Sequence, residues 1–391
     1  MFASTLIIFL SVILSAVQAR RFRDTGGTIV FEEAWTIPEL AFQNVYVSFK
    51  IWSTNDELVA NLLDVHNQRL RSMNTNNIDF MVLSCAQPCI QSFSDPVTAE
   101  NMAVHVNNEL AATIANNTER FGAFASLAMH NATAAALELK RAVETLGFLG
   151  ALVNDYQQSG TDGQTLLFYD QPEYDVFWQM VSDLDVPVYF HPRTDIQTIL
   201  NLTFVHAPFL IGPAQEFAAG LSTHILGLGI PTGSVQTVYL SMSSLFEHWI
   251  VLISRFPKLK IIVGHLGERI SSDLVRIDTR EYPSQLSCTM RLRHCIELKR
   301  QVPFGLTMKQ NVTTYFRTNI FETTSGNFAP DLLDFHINQI GLDRIMYSID
   351  YPFINIPDGT TFINDLARTM KAEDHNSLAR GLAIEVLRLK D

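Results

Sequence analysis

Basic residues are scarce in this chain. Its 391 residues carry 28 Lys and Arg against 40 Asp and Glu, a formal charge of −12. Apart from short runs such as Arg291 to Lys299 there is no dense Lys/Arg cluster. Nucleic acid and anionic lipid are therefore excluded as principal partners, because both are held through clustered positive charge. Linkers are missing as well: no Pro/Ser-rich stretch, low-complexity tract or internal repeat divides the sequence. The length then fits one α/β barrel or two average domains. Cysteine is limited to Cys85, Cys89, Cys288 and Cys295, and neither close pair has C-x-x-C spacing. That argues against a zinc knuckle or a thioredoxin-type centre, and leaves local disulfides and buried thiols both open, with three connectivities for four cysteines. A Gly-rich phosphate turn is absent after the first strand-like run, which counts against the runner-up fold, a doubly wound open sheet.

What is present is an apolar, globular composition, 47% hydrophobic and 17% charged. Residues 1–19, MFASTLIIFLSVILSAVQA, combine an apolar stretch with a small-x-small ending before Arg20 and Arg21. They read as a secretory signal peptide, too short for a spanning helix although the basic n-region is missing, with an uncleaved anchor as the alternative. Residues 20–391 then form a single barrel domain. Asn116, Asn131, Asn201 and Asn311 each open an N-x-T triplet, so N-glycosylation and a secreted or lumenal location are expected.

Three segments share one design. Val186 to Arg193 (VPVYFHPR), Lys260 to Glu268 (KIIVGHLGE) and Ile345 to Phe353 (IMYSIDYPF) are apolar runs that end on His191, His265 and Asp350. A continuous apolar run is the mark of a parallel strand buried on both faces. Five further runs complete the count: Thr28–Phe31, Ile78–Ser84, Phe121–Leu127, Phe148–Asn154 and Asn319–Thr324. Helical patterning separates them at Asn55–Asn74, Thr98–Asn117, Ala134–Leu146, Pro172–Leu184, Ser244–Phe256, Ser271–Arg280 and Asn376–Leu389. Residues 194–245, rich in Pro and Gly, read as a long excursion over the active face, and Glu281–Thr314 as an insertion. Eight βα repeats imply a (β/α)8 barrel, whose strands deliver their C-terminal residues to one face.

If those ends meet, Glu32, His191 and Asp350 form an O, N, O set for one divalent cation, which suits Zn, Mn or Mg. His265 and Glu268 would stand beside it as a hydrogen-bonded pair in which the carboxylate fixes the imidazole tautomer.

The segments EEAWTIPE, RFGAFASLAM, LGFLGALVND, FYDQPEYDVFWQMVSDLDVPVYFHPR, IIVGHLGE and DRIMYSIDYPF, in this order, resemble the amidohydrolase-superfamily decarboxylases. The branch they match best is that of the o-hydroxybenzoate decarboxylases of the γ-resorcylate, 2,3-dihydroxybenzoate and salicylate types, from roughly Thr28 to Leu387. The resemblance implies that Glu32, His191 and Asp350 bind the metal, with zinc foremost and manganese or magnesium as alternatives, and that no organic cofactor is needed. It implies that Asp350, His265 and Glu268 serve catalysis, that Asn154 and Arg276 lie near the substrate pocket, and that Glu33 points away from the metal. A second strand 1 ligand, His in the γ-resorcylate type, is Ala34 here, as in the 2,3-dihydroxybenzoate type. The substrate implied is a small aromatic carboxylic acid that loses carbon dioxide after Asp350 protonates the ring, and the assembly implied is a homo-oligomer. A lactonase-like metal-dependent hydrolase on the same barrel, or an inactive secreted binding protein, are the competing readings.

Overall fold

The computed structural model describes residues 20–41, 55–193, 196, 252–253, 255–281, 310 and 312–390. Eight parallel strands organise them: β1 Thr28–Trp35, β2 Ile78–Cys85, β3 Phe121–Ala123, β4 Ala151–Asn154, β5 Pro187–His191, β6 Lys260–Val263, β7 Ile320–Thr323 and β8 Ile345–Met346. β1 to β3 form one ladder and β4 to β8 another, each in chain order. The seam between β3 and β4 is closed by the bridge Ala125–Ala151, with Ala125 N donating to Gly150 O at 2.9 Å and Leu152 N to Ala125 O at 3.1 Å. At the other seam Ala34 N donates to Tyr351 O at 2.7 Å, tying β1 to the segment after β8. The ring is complete, and the fold is the expected (β/α)8 barrel.

Alternation along each strand explains why the runs are apolar throughout. Ile29 and Phe31, Phe80 and Val82, Leu152, Tyr189, Ile262, Phe321 and Met346 pack together and fill the barrel. Their neighbours Val30, Met81, Leu83, Val153, Val188, Phe190, Ile261, Val263, Ile320 and Ile345 pack into the outer layer with the helices. Each strand therefore buries both faces, and at roughly 1.5–3 kcal/mol per large apolar side chain this burial is the main stabilising term. The base is covered by a short parallel ladder, Arg20–Arg21 with Leu389–Lys390, and by Phe22 and Leu387.

Helix starts follow the sequence chemistry. Pro96–Ile114 is capped by Asp95, whose carboxylate accepts from Thr98 N at 2.8 Å, and Ala132–Glu144 by Asn131, which accepts from Thr133 N at 3.0 Å. The single helix expected over Asn55–Asn74 is two, Asn55–Leu63 and Gln68–Thr75. Asp64 accepts from Asn67 N at 3.1 Å and Arg69 N at 2.8 Å and so restarts the helix after the break. Helices Val312–Thr318, Pro330–Ile340 and Ile356–Leu366 were not anticipated; the expected last helix begins earlier, at Ala372, and passes a π-turn at Ser377–Gly381 before ending at Leu387. β3 and β8 are shorter than their apolar runs suggest.

Cys85 and Cys89 form a disulfide. Cys288, Cys295, Asn201, Asn311, the leader, most of the expected helix Ser244–Phe256, almost all of the 194–245 excursion and nearly all of the 281–314 insertion lie outside the described residues.

Candidate metal centre

Glu32 owes its direction to a fault in the strand. Between Phe31 and Glu33 the register of β1 on β2 slips, so that Phe31 opposes Val82, Glu33 opposes Leu83 and Glu32 has no opposite residue. This is a β-bulge, and Glu32 takes φ 84°, a conformation that few non-glycine residues adopt. Strict alternation would send Glu32 outward with Val30. The bulge turns it inward instead, where Oε2 accepts from the Tyr189 hydroxyl and from Thr323 Oγ1 at 3.3 Å.

The other oxygen, Oε1, is buried and has no hydrogen-bond donor among the described residues. Facing it are His191 Nε2 at 3.3 Å and His265 Nε2 at 3.7 Å. Both imidazoles use Nδ1 elsewhere: His191 Nδ1 meets Pro192 O at 2.5 Å, and His265 Nδ1 meets the Glu268 carboxylate. Carbonyl and carboxylate oxygens only accept, so Nδ1 carries the proton in each ring and Nε2 presents a lone pair. Glu32, His191 and His265 thus offer three electron-pair donors within 4.8 Å of one another. Asp350 Oδ2 lies 3.6 Å from the same His265 Nε2. Such a convergence of acceptors on a largely buried point calls for a proton or a cation, and carboxylate oxygen with imidazole nitrogen fits a divalent metal. Gly264 leaves room for it, since a Cβ there would lie 2.4 Å from Glu32 Oε1.

The electrostatics reflect the crowding. Burial pushes the Asp350 carboxyl up to about 7, against the pull of His265 and with help from Glu32 and Glu33. Burial lowers His191, and Glu32 only partly restores it. Burial also acts to lower His265, but Glu268 and Glu32 outweigh it and hold the imidazole well above its usual range. A divalent cation between these donors would oppose that protonation, because it competes for the same Nε2 lone pair.

From the sequence, Asp350 is the expected third metal donor and His265 its neighbour; the geometry groups His265 with Glu32 and His191 and sets Asp350 against His265. Asn154 stands opposite His191 in the β4–β5 register, is wholly buried, and donates from Nδ2 to His191 O at 3.2 Å while Oδ1 has no partner among the described residues. Arg276 differs: its side chain is 69% accessible and its guanidinium is 4.0 Å from Asp273. Arg193 of the HPR run braces the walls, donating to Gln91 O, Tyr156 O and Gln158 Oε1 at 2.6–3.2 Å. Gln91 belongs to the Cys89–Ser92 turn, which the disulfide joins to the end of β2. Tyr189 and Thr323 were not singled out from the sequence. Tyr189 could have been, since it precedes His191 by two positions and so shares its face of β5.

Residues 64–389 match the amidohydrolase family Amidohydro_2. The gamma-resorcylate decarboxylase of Rhodococcus jostii (strain RHA1) is 35% identical over 366 residues, covering 93% of this chain and 99% of that protein. A solved 2,6-dihydroxybenzoate decarboxylase in complex with 2,6-dihydroxybenzoate is 33% identical, with TM-score 0.76 over 93% of this chain and 99% of that one. The dihydroxybenzoic acid decarboxylase of Polaromonas sp. JS666, solved with bound manganese and the inhibitor 2-nitroresorcinol, is 31% identical, with TM-score 0.78 over 93% and 97%.

Proposed function

Because this chain belongs to the Amidohydro_2 amidohydrolase family, we propose that it is a metal-dependent, non-oxidative decarboxylase of o-hydroxybenzoates. The observation that carries the reading is the pairing of a metal-type donor set with a carboxyl beside it: Glu32 Oε1 and two Nδ1-protonated imidazoles, with Asp350 3.6 Å from His265. Glu32 and His191 would hold the cation, with His265 or Asp350 as the third donor. Manganese is the ion in the Polaromonas relative; zinc also suits a carboxylate and imidazoles. Once bound, the ion supplies Lewis-acid stabilisation for the carboxylate and the neighbouring phenolate oxygen.

The protein's own groups do the rest. Asp350 gives its proton to the ring carbon that bears the carboxylate. The bond to that carboxylate then breaks, its electron pair returns to the ring, and carbon dioxide leaves. Asp350 is left ionised and takes up a proton for the next turnover. Glu268 accepts from His265 Nδ1 and keeps the ring oriented, so that its Nε2 stays directed at the position between Glu32 Oε1 and Asp350 Oδ2. Asn154 Oδ1, without a partner among the described residues, is suited to accept from a substrate hydroxyl. The apolar leader and the sequons at exposed Asn116 and Asn131 support a secretory-pathway location for this activity.

The test is carbon dioxide release from 2,6-dihydroxybenzoate, 2,3-dihydroxybenzoate and salicylate by protein stripped of metal and reloaded with manganese or zinc, run beside a lactone hydrolysis assay. Decarboxylation of at least one acid only in the reloaded protein is expected. Lactone turnover with no carbon dioxide from any acid overturns the reading in favour of a hydrolase.

A further inference from the structure

A second carboxylate beside the metal-binding group is unused by this chemistry. Glu33 is wholly buried. Its Oε1 accepts from Ile349 N at 3.1 Å and lies 3.1 Å from Ser348 Oγ, and its Oε2 accepts from Tyr351 N at 2.8 Å. The two amides it holds are those on either side of Asp350, which itself takes φ 76°. No strand ladder joins β8 to β1 among the described residues. Glu33 therefore satisfies, from a side chain, amides that a neighbouring strand would satisfy elsewhere in the barrel. The clamp is anchored behind by Arg69, also buried, which donates from Nη2 to Ala34 O at 2.7 Å and lies over the Tyr351 ring at 4.8 Å. Three consecutive residues of β1 thus have separate tasks: Glu32 faces the candidate metal position, Glu33 grips the segment after β8, and Ala34 ties to Tyr351.

We propose that Glu33 is the positioning residue for Asp350, holding its left-handed backbone by the two flanking amides so that the carboxyl is presented to the ring carbon, without itself touching substrate or metal. The proposal rests on the decarboxylase reading of Asp350. A carboxylate is required because both amides donate and both need an acceptor. A glutamine of the same size offers one acceptor and one donor, so one amide loses its partner.

Glu33→Gln is the test, with 2,6-dihydroxybenzoate as the probe and resorcinol as the ring for exchange. Hydrogen exchange of a peptide spanning residues 346–352 is expected to speed up about 10- to 100-fold, the change that follows when one buried amide is left without an acceptor. kcat and the rate of deuterium entry into resorcinol from heavy water should fall together, while KM and bound metal equivalents stay within about twofold of the parent. Unchanged amide exchange, or kcat within twofold of the parent, overturns the proposal. So does a loss shared equally by KM and metal content, which marks a merely structural role. If Glu33→Gln does not fold, Glu33→Asp keeps both carboxyl oxygens on a shorter arm and is expected to show the same pattern more mildly. Wild-type protein that releases no carbon dioxide would sink the decarboxylase reading instead, and amide exchange would still decide the clamp.

Discussion

Tyr189 shows how much a single hydroxyl can govern here. It is wholly buried in the barrel, donates to Glu32 Oε2 and lies 2.7 Å from Thr323 Oγ1. Burial and the adjacent Glu32 carboxylate push its own ionisation far up, so it stays a donor at any working pH. With Oε2 held this way, Oε1 is the oxygen left to face the imidazoles. Tyr189→Phe keeps the ring and its packing against Phe31 while freeing the carboxylate to rotate. Loss of an outer hydrogen bond of this kind is expected to lower metal affinity or activity about 10- to 100-fold, read by competition with a chelator and by initial rates. Asp350→Asn removes the transferable proton with little change of shape. Turnover should vanish while the thermal midpoint stays within a few degrees of the parent; near-normal release of carbon dioxide would rule out its role as the acid.

At the scale of the element, the turn after β6 stands out. His265, Leu266, Gly267, Glu268 and Arg269 have φ of 51°, 55°, 64°, 49° and 69°, five left-handed residues in a row. Each non-glycine residue there costs about 1–2 kcal/mol, so the turn must be imposed by its surroundings. Asn327 Nδ2 donates to His265 O at 3.2 Å, and Glu268 grips the His265 ring. Behind the turn Glu322 accepts from Ser271 and from His336 Nδ1 at 2.7 Å, in a network with almost no solvent exposure. His336→Ala takes from buried Glu322 one of its two side-chain donors and is expected to cost about 1–3 kcal/mol in denaturant unfolding. Gly264→Ala acts differently: its Cβ would displace Glu32, so metal content and rate should fall together while the circular dichroism of the barrel is retained. None of this turn was legible in KIIVGHLGE beyond the strand and its His–Glu pair, because left-handed backbone in His, Leu, Glu and Arg is a product of tertiary contacts. The bulge at Glu32 was hidden for the same reason, since a register slip leaves no mark in TIVFEEAW. The barrel itself was legible, because strands buried on both faces must be apolar throughout. The helix Pro330–Ile340 escaped notice although Pro330 opens it in the favoured first position.

For the molecule as a whole, the donors come from places far apart in the chain: the bulge of β1, the end of β5, the turn after β6 and the segment after β8. Only the closed ring brings them together, so an ion held there binds the native state and has no comparable site in the unfolded chain. Mass action then ties metal to stability, by about 2.7 kcal/mol at a free concentration one hundred times the dissociation constant. The thermal midpoint of chelator-treated protein should accordingly climb by several degrees as manganese or zinc is titrated in, and keep climbing with the logarithm of free metal. Three variants separate this linkage from weak surface binding. Glu32→Ala and His191→Ala each remove one donor and should flatten the response, whereas a change at exposed Arg276 should leave it intact. A midpoint that ignores metal in the wild-type chain, or that rises equally in all three variants, would mean that these donors do not share an ion in solution.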